Sequence, residues 1–471
     1  MGLSLVVAAT ALLAMLAWGY RVTDRRIRSR PLEEAPAAES WLTADEALQA
    51  EKVDTPQGVI EATLVYGPKH QDPWRLAGLR RLQGYPTFPA KDGSHLVLLL
   101  DASGAKLYGL KVGIVEAILD PPPLEGETIV PYNPSEGRLV VVLPDLTQAT
   151  EVAVETMSGE SRGRWPLEKV AVVEPAKDFE TKGANQVRLE QLLRSGEVVL
   201  APAGALPVAE QTVDLTFIGA GYDTDQQFQS DSQRFSNELV KYEPFASRSY
   251  QLVFHRINNQ IDLGCQYLPA NPRLILCDEA KVWQAVNSAG APADVVVVIV
   301  NNPNYGGSAT SVVTAYNGQQ GPAVFVHELG HVLGHLVDEY VIFGQGPLGG
   351  IQRNCSPQPG PVAAWEGLAG SDLPQGCLYQ NWYRSTASSI MRELKAVYFN
   401  PVSQRILEGE INYYARPAIT MVDLDHDGDM DFIDWRLMLN HFGTEYCLMS
   451  VAGGCLVDLN DWRLMWWFWG E

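Results

Sequence analysis

Residues 327 to 340 read HELGHVLGHLVDEY, and His327, Glu328 and His331 have the types and the spacing to activate water on a metal ion. Residues four apart share one face of a helix, so both imidazoles can aim at one cation with the Glu328 carboxylate beside it. Zinc in such a place acidifies a bound water. Glu328 would take the proton as the water attacks a carbonyl, then return it to the departing amine. The chemistry is metal-assisted hydrolysis of a peptide bond.

A catalytic zinc takes three protein ligands and keeps one position open. His335 continues the four-residue spacing, but an unbroken helix carries it about 12 Å from His327, too far for bonds of about 2 Å each. Asp338 would likewise lie roughly 10 Å beyond His331 on a straight helix. Gly334 offers a way out, because a glycine can turn left-handed, end the helix and send the chain back towards the ion. The spacing resembles the metzincin pattern HExxHxxGxxH, except that Val337 occupies the third-ligand position and the aspartate follows one place later. Asp338 is therefore the expected third ligand, with Glu339 the runner-up and a distant residue behind both.

The same stretch resembles the signature of the IgA-peptidase family of secreted zinc metallopeptidases, HExGH followed by Gly and then Asp-Glu-Tyr. Similar pieces flank it. FIGAGYDTDQQF resembles the family's strand and Gly-Tyr turn, with Ala220 where Asp is more usual, and NNPNYGGSAT and SSIMRELKAVYFNPVSQ resemble the segments before and after the catalytic helix. The resemblance spans roughly residues 210 to 415. It implies His327, His331 and Asp338 as zinc ligands, Glu328 as the catalytic residue, Met391 as a Met-turn under the metal, a protein or peptide substrate and a β-sandwich ahead of the peptidase domain. Tyr340, Tyr383 and Tyr398 are equal candidates for steadying the oxyanion.

Elements able to position these groups can be read from periodicity. VDLTFIGAGYD reads as a strand and turn, Phe228, Phe235, Leu239 and Tyr242 recur at helical spacing, and SYQLVFHRIN returns to strand. DVVVVIVNN is the continuous apolar run of a strand buried on both faces, and PAVFVHELGHVLGHL begins the next long helix. This order implies a zincin-like α/β domain, metzincin-related, over residues 206–418. Ahead of it, HLVLLL, RLVVVLPDL, EVAVETM and KVAVVEP are short β-rich runs separated by Gly, Pro and Asp, which implies an all-β sandwich over residues 56–205. His255 alternates with Phe254 and Ile257 in its strand and is expected to face solvent.

Residues 419–471 contain a repeat: MDFIDWRLMLNHFG aligns with VDLNDWRLMWWFWG. Running into the first copy, Asp423, Asp425, Asp427, Asp429, Asp431 and Asp434 fall at EF-hand loop positions, with Gly428 at the turn. A calcium loop and one helix, duplicated, resembles the dockerin module, an α-helical EF-hand unit that would dock a partner protein. The second copy keeps only Asp458 and Asp461, so one structural Ca2+ is expected.

The first twenty residues are uncharged and apolar, a signal peptide or membrane anchor, and residues 21–55 read as a linker rich in Ala, Glu and Pro. Membrane contact is expected only through residues 3–20. Six cysteines fall as near neighbours, Cys265 with Cys277, Cys355 with Cys377 and Cys447 with Cys455, which implies disulfides and an extracytoplasmic location, secreted or anchored at the cell surface. A formal charge of -21 disfavours nucleic acid. The whole reads as an exported zinc endopeptidase. The alternative is a surface adhesion or scaffolding protein with a degenerate peptidase domain.

Overall fold

The computed structural model describes residues 56–415 apart from 68–72, 91–92, 115–120, 124–135, 168–170, 173–178, 184–211, 259–261, 347–352, 358–364, 366 and 370–372, and beyond them 436, 438 and 439. The expected signal or anchor, the linker, the six calcium-loop aspartates and the Cys447–Cys455 pair lie outside the described residues. Among the described residues no helix is long and apolar enough to cross a membrane.

Strands β1 (Gln57–Tyr66), β2 (Arg75–Gly84), β3 (His95–Leu100), β4 (Lys106–Val112), β5 (Gly137–Pro144), β6 (Glu151–Thr156), β7 (Ser161–Pro166) and β8 (Ala171–Val172) form two four-stranded sheets, ordered β5-β1-β2-β8 and β4-β3-β6-β7. Successive strand residues face opposite sides, so Ile60, Ala62 and Leu64 of β1 meet Val97, Leu99, Val152 and Val154 of the second sheet in one core. The runs HLVLLL, RLVVVLPDL and EVAVETM lie on β3, β5 and β6, and the described residues of KVAVVEP, Ala171 and Val172, form β8.

A further, eight-stranded sheet is built from β9 (Phe179–Gly183), β10 (Val213–Ala220), β11 (Leu252–Ile257), β12 (Gln266–Leu268), β13 (Asn271–Leu276), β14 (Val295–Val300), β15 (Gly307–Ala309) and β16 (Val313–Tyr316), in the order β12-β13-β15-β16-β14-β10-β11-β9. β14 runs parallel to both neighbours, and all six of its residues are buried, which is why its sequence shows no polar alternation. The edge departs from the sequence reading. β9, from the segment assigned to the sandwich, pairs antiparallel with β11 and closes this sheet.

That added strand also reverses the expectation for His255. The residue stands directly opposite Thr181 of β9 and is only 4% exposed. Its Nδ1 lies 2.9 Å from Thr181 Oγ1 and its Nε2 lies 2.8 Å from Asp214 Oδ1. β11 is an inner strand, flanked by β10 and β9.

Helix α1 (Asp225–Leu239) follows the Gly221 turn and buries Phe228, Phe235 and Leu239, the expected stripe. Phe325 of α3 (Gly321–Gly334) packs against both Phe217 of β10 and Phe235, with ring centroids 5.6 and 5.7 Å away, so the helix that carries the metal motif is anchored to sheet and helix together. Between α1 and α3 comes α2 (Glu279–Ala289), which bridges to the sandwich. Arg80 pairs with Glu61 at 2.7 Å and donates to Ser288 Oγ at 3.1 Å, and Asn287 donates to Glu61.

Beyond α3, β17 (Val341–Phe343), β18 (Cys355–Ser356) and β19 (Gln375–Arg384) form a small sheet ordered β17-β19-β18, stapled by the Cys355–Cys377 disulfide. Cys265–Cys277 brackets the β12–β13 hairpin. Both expected bridges that lie among the described residues thus form. Helix α4 (Pro401–Tyr414) starts at the Asn400 cap and lays Leu407 against the end of α3.

Candidate metal centre

Helix α3 places His327 and His331 on one face, with their Nε2 atoms 3.0 Å apart. It then ends at Gly334, as the spacing argument required, but by a different residue. His335 takes the left-handed conformation, φ 47° and ψ 33°, and its N–H and that of Leu336 both reach the Gly330 carbonyl. Gly334 stays helical. A Cβ there would sit 2.8 Å from Leu407 Cδ2 and 3.1 Å from Leu336 Cγ, so close packing of α4 is what demands glycine at 334. The left-handed turn falls one residue later, on a histidine whose side chain faces solvent rather than the metal.

The reversal brings Asp338 back to the histidines. Its Oδ1 lies 3.2 Å from His327 Nε2 and 3.3 Å from His331 Nε2. Ligand bonds of about 2.0 Å at the tetrahedral angle put ligand atoms about 3.3 Å apart, so this triangle fits three corners of a zinc tetrahedron. Glu328 brings a carboxylate oxygen within 4.8 Å of both imidazole ligand atoms. All four side chains are buried, His331 at 5% exposure being the most open.

The tautomers are set from outside the triangle. His327 Nδ1 lies 2.9 Å from the Ile390 carbonyl and His331 Nδ1 lies 2.7 Å from the Leu336 carbonyl. A carbonyl only accepts, so each Nδ1 carries the proton and each Nε2 turns a lone pair inwards. Burial pushes His327 below its ordinary imidazole value, which favours the neutral ligand form. In the site without metal, burial would raise the Asp338 carboxyl, but a protonated His331 and hydrogen bonds from both Nε2 atoms outweigh it and bring its pKa down to about 2; a metal ion would take the place of those protons. Apart from the two imidazoles, neither Asp338 oxygen has a hydrogen-bond partner among the described residues. Two inward lone pairs and a buried, ionised carboxylate are a donor set for a small dication.

The loop behind the triangle is pinned along its backbone. Val337 N and O pair with Asn354 at 2.9 and 2.8 Å, the Asp338 carbonyl accepts from Leu378 N at 3.0 Å, and Glu339 N donates to the Met391 carbonyl at 2.9 Å. Met391, expected beneath the metal, is fully buried against α3, where a Cβ on Gly330 would lie 2.6 Å from its Sδ. Of the three tyrosine candidates, Tyr398 is 44% exposed and its carbonyl accepts from Ile390 N at 2.8 Å, while Tyr383 packs beside Trp365 and Val402.

The family model described as IgA Peptidase M64 matches residues 205–349. This is just under a third of the chain, but it contains His327, Glu328, His331 and Asp338 and most of the α/β sheet. The match indicates a peptidase, as the motif reading expected, and the family points to zinc. It ends before Met391, short of the span to residue 415 over which the motifs resemble the family. Among curated proteins none matches the chain.

The sequence reading missed the carbonyls of Ile390 and Leu336 that fix the two tautomers, and it missed Asn354, Ser389 and Asn400. It placed Glu339 only as a substitute ligand. The structure turns that carboxylate away from the triangle, where it accepts from Ser389 Oγ at 2.6 Å, Asn354 Nδ2 at 3.1 Å and Asn400 Nδ2 at 2.6 Å. The Asp-Glu order after the helix was the one local sign of a second buried acid.

Proposed function

We propose that the chain is an exported zinc-dependent endopeptidase in which His327, His331 and Asp338 hold the ion and Glu328 acts as general base and acid. The observation that carries this reading is the triangle of Nε2, Nε2 and Oδ1 atoms, 3.0 to 3.3 Å on a side. When bound, zinc would supply an acidified water and polarise the scissile carbonyl. The chain's own part is to orient and to move a proton. Ile390 and Leu336 hold the imidazoles in the tautomer that presents Nε2. The buried Glu328 carboxylate takes a proton from the attacking water and returns it to the amine that leaves.

The test compares casein cleavage by the purified protein, by the same protein with a zinc chelator, and by Glu328→Ala. Cleavage should vanish with the chelator and fall by about 100-fold or more in the variant. Equal activity in all three would remove the enzyme reading.

The proposal extends to the ends of the chain. Residues 1–20 would carry or anchor the protein outside the cytoplasm, and residues 419–471 would form a dockerin-like module in which Asp423, Asp425, Asp427, Asp429, Asp431 and Asp434 hold one Ca2+ and the module docks a partner protein. Arg436, Met438 and Leu439 are helical with Met438 buried, in agreement with a helix leaving that loop. Calcium titration of the whole chain should give one site, absent from Asp427→Ala. Two sites would mean that the second repeat also binds.

A further inference from the structure

We propose that Glu339 is a positioning residue for the metal site: it holds Asp338 in register with the two histidines, acting through Asn354, Ser389 and Asn400. The inference rests on the reading of His327, His331 and Asp338 as zinc ligands.

Apart from the two imidazoles it faces, the Asp338 carboxylate has no hydrogen-bond partner among the described residues to aim it. Its direction is inherited from the backbone of residues 337 to 340. That backbone is held by Asn354, by Leu378 N and by the Met391 carbonyl, and two of these segments, at 354 and at 389 to 391, also send a side chain to Glu339. Asn354 holds both the N–H and the carbonyl of Val337, and its amide is oriented by donating to Glu339 Oε1 at 3.1 Å. Ser389, which donates to Oε2 at 2.6 Å, directly precedes Ile390, whose carbonyl sets the His327 tautomer.

Asn400 completes the clamp. Its Nδ2 donates to Glu339 Oε1 at 2.6 Å while its Oδ1 accepts from Ser403 N at 2.9 Å, so the start of α4 is tied to the ligand loop by one amide. The same helix places Leu407 against Gly334 at the end of α3. One carboxylate therefore joins the loop that delivers Asp338, the loop that orients His327 and the helix that closes over the turn between them.

The four side chains are fully buried, and every partner of Glu339 presents a donor. Burying a carboxylate is costly unless its oxygens are satisfied, and here both oxygens accept from buried donors. The arrangement selects an acceptor at 339. Glutamine can still serve if Ser389 turns its hydroxyl to accept, but alanine leaves three buried donors facing a void.

The test uses the full chain, zinc competition against a chromophoric chelator, and the visible spectrum of the cobalt-loaded protein. Glu339→Ala should keep one zinc per chain but bind it about 10- to 100-fold more weakly, with an altered cobalt spectrum. Glu339→Gln should restore the affinity to within a few fold, and Ser389→Ala should fall between them. Wild-type affinity and an unchanged cobalt spectrum in Glu339→Ala would overturn the inference. If that variant does not fold, wild-type affinity and an unchanged spectrum in Ser389→Ala overturn it instead. A loss in Glu339→Gln as large as in Glu339→Ala would overturn it too. Wild-type protein that binds no zinc would instead remove the metal-site reading beneath it.

Discussion

Gly334 lies so close beneath Leu407 that a Cβ on the glycine would come within 2.8 Å of Leu407 Cδ2, while the left-handed turn that ends α3 belongs to His335. Packing and turning are thus divided between neighbours. Gly334→Ala should destabilise by about 1–3 kcal/mol through overpacking. His335→Gly should be neutral or stabilising by up to about 1 kcal/mol, because it removes the cost of φ > 0 on a residue with a Cβ. His335→Val, with a branched Cβ at positive φ, should both destabilise and weaken zinc binding. Chemical denaturation of the three variants checks this, and a stabilised Gly334→Ala would show that α4 is not packed as described.

Gly330 lies between the two histidines on α3 and touches the residue expected beneath the metal. An added Cβ would meet Met391 Sδ at 2.6 Å and Phe399 Cε1 at 3.0 Å. Gly330→Ala should therefore cost about 1–3 kcal/mol and disturb zinc affinity, since the loop that carries Met391 also carries the Ile390 carbonyl. Met391→Ala makes room but opens a cavity, so the double variant should be more stable than the sum of the single losses. Strict additivity in a double-mutant cycle would show that the two do not share the space.

The metal-motif helix was legible because a four-residue spacing on a 3.6-residue helix fixes which side chains meet, and Asp338 was legible because it lies only seven positions after His331. The identity of the turning residue was not. Propensity favours Gly334, and the contact with Leu407, far along the chain, overrode it. The Glu339 clamp was hidden for the same reason: its partners lie 15, 50 and 61 residues away, and single polar side chains leave no periodic trace. The β9 edge was missed because strand pairing over more than seventy residues leaves no mark in the short polar segment that supplies it, and His255 was misplaced with it.

Glu279, the first residue of α2, offers a pH test remote from the metal. Burial raises its carboxyl above 4.5, although the Ser311 hydroxyl donates to it. A carboxyl whose folded pKa is raised binds its proton more tightly in the native state. Its contribution is complete below 4.5 and is lost as pH rises through the raised value. Glutamine does not titrate there. The melting temperature of Glu279→Gln minus that of wild type should therefore become more positive between about pH 4.5 and about pH 7.5. A difference that stays flat, or falls, contradicts the shift.

The contact between sandwich and α2 separates stability from metal binding. Glu61, 1% exposed, pairs with Arg80 through two bonds of 2.7 Å and accepts from Asn287 of α2. Removing one partner of a buried pair leaves the other uncompensated, so Glu61→Ala should cost about 3 kcal/mol, and Glu61→Ala with Arg80→Ala should cost less than the two losses added. The zinc site does not draw on this network. Its ligands sit on α3 and the loop after it, steadied by residues 354, 378 and 389 to 400 rather than by α2. Zinc affinity of Glu61→Ala at a temperature where it remains folded should match wild type, and a parallel loss of affinity would mean that the sandwich shapes the site through α2 after all.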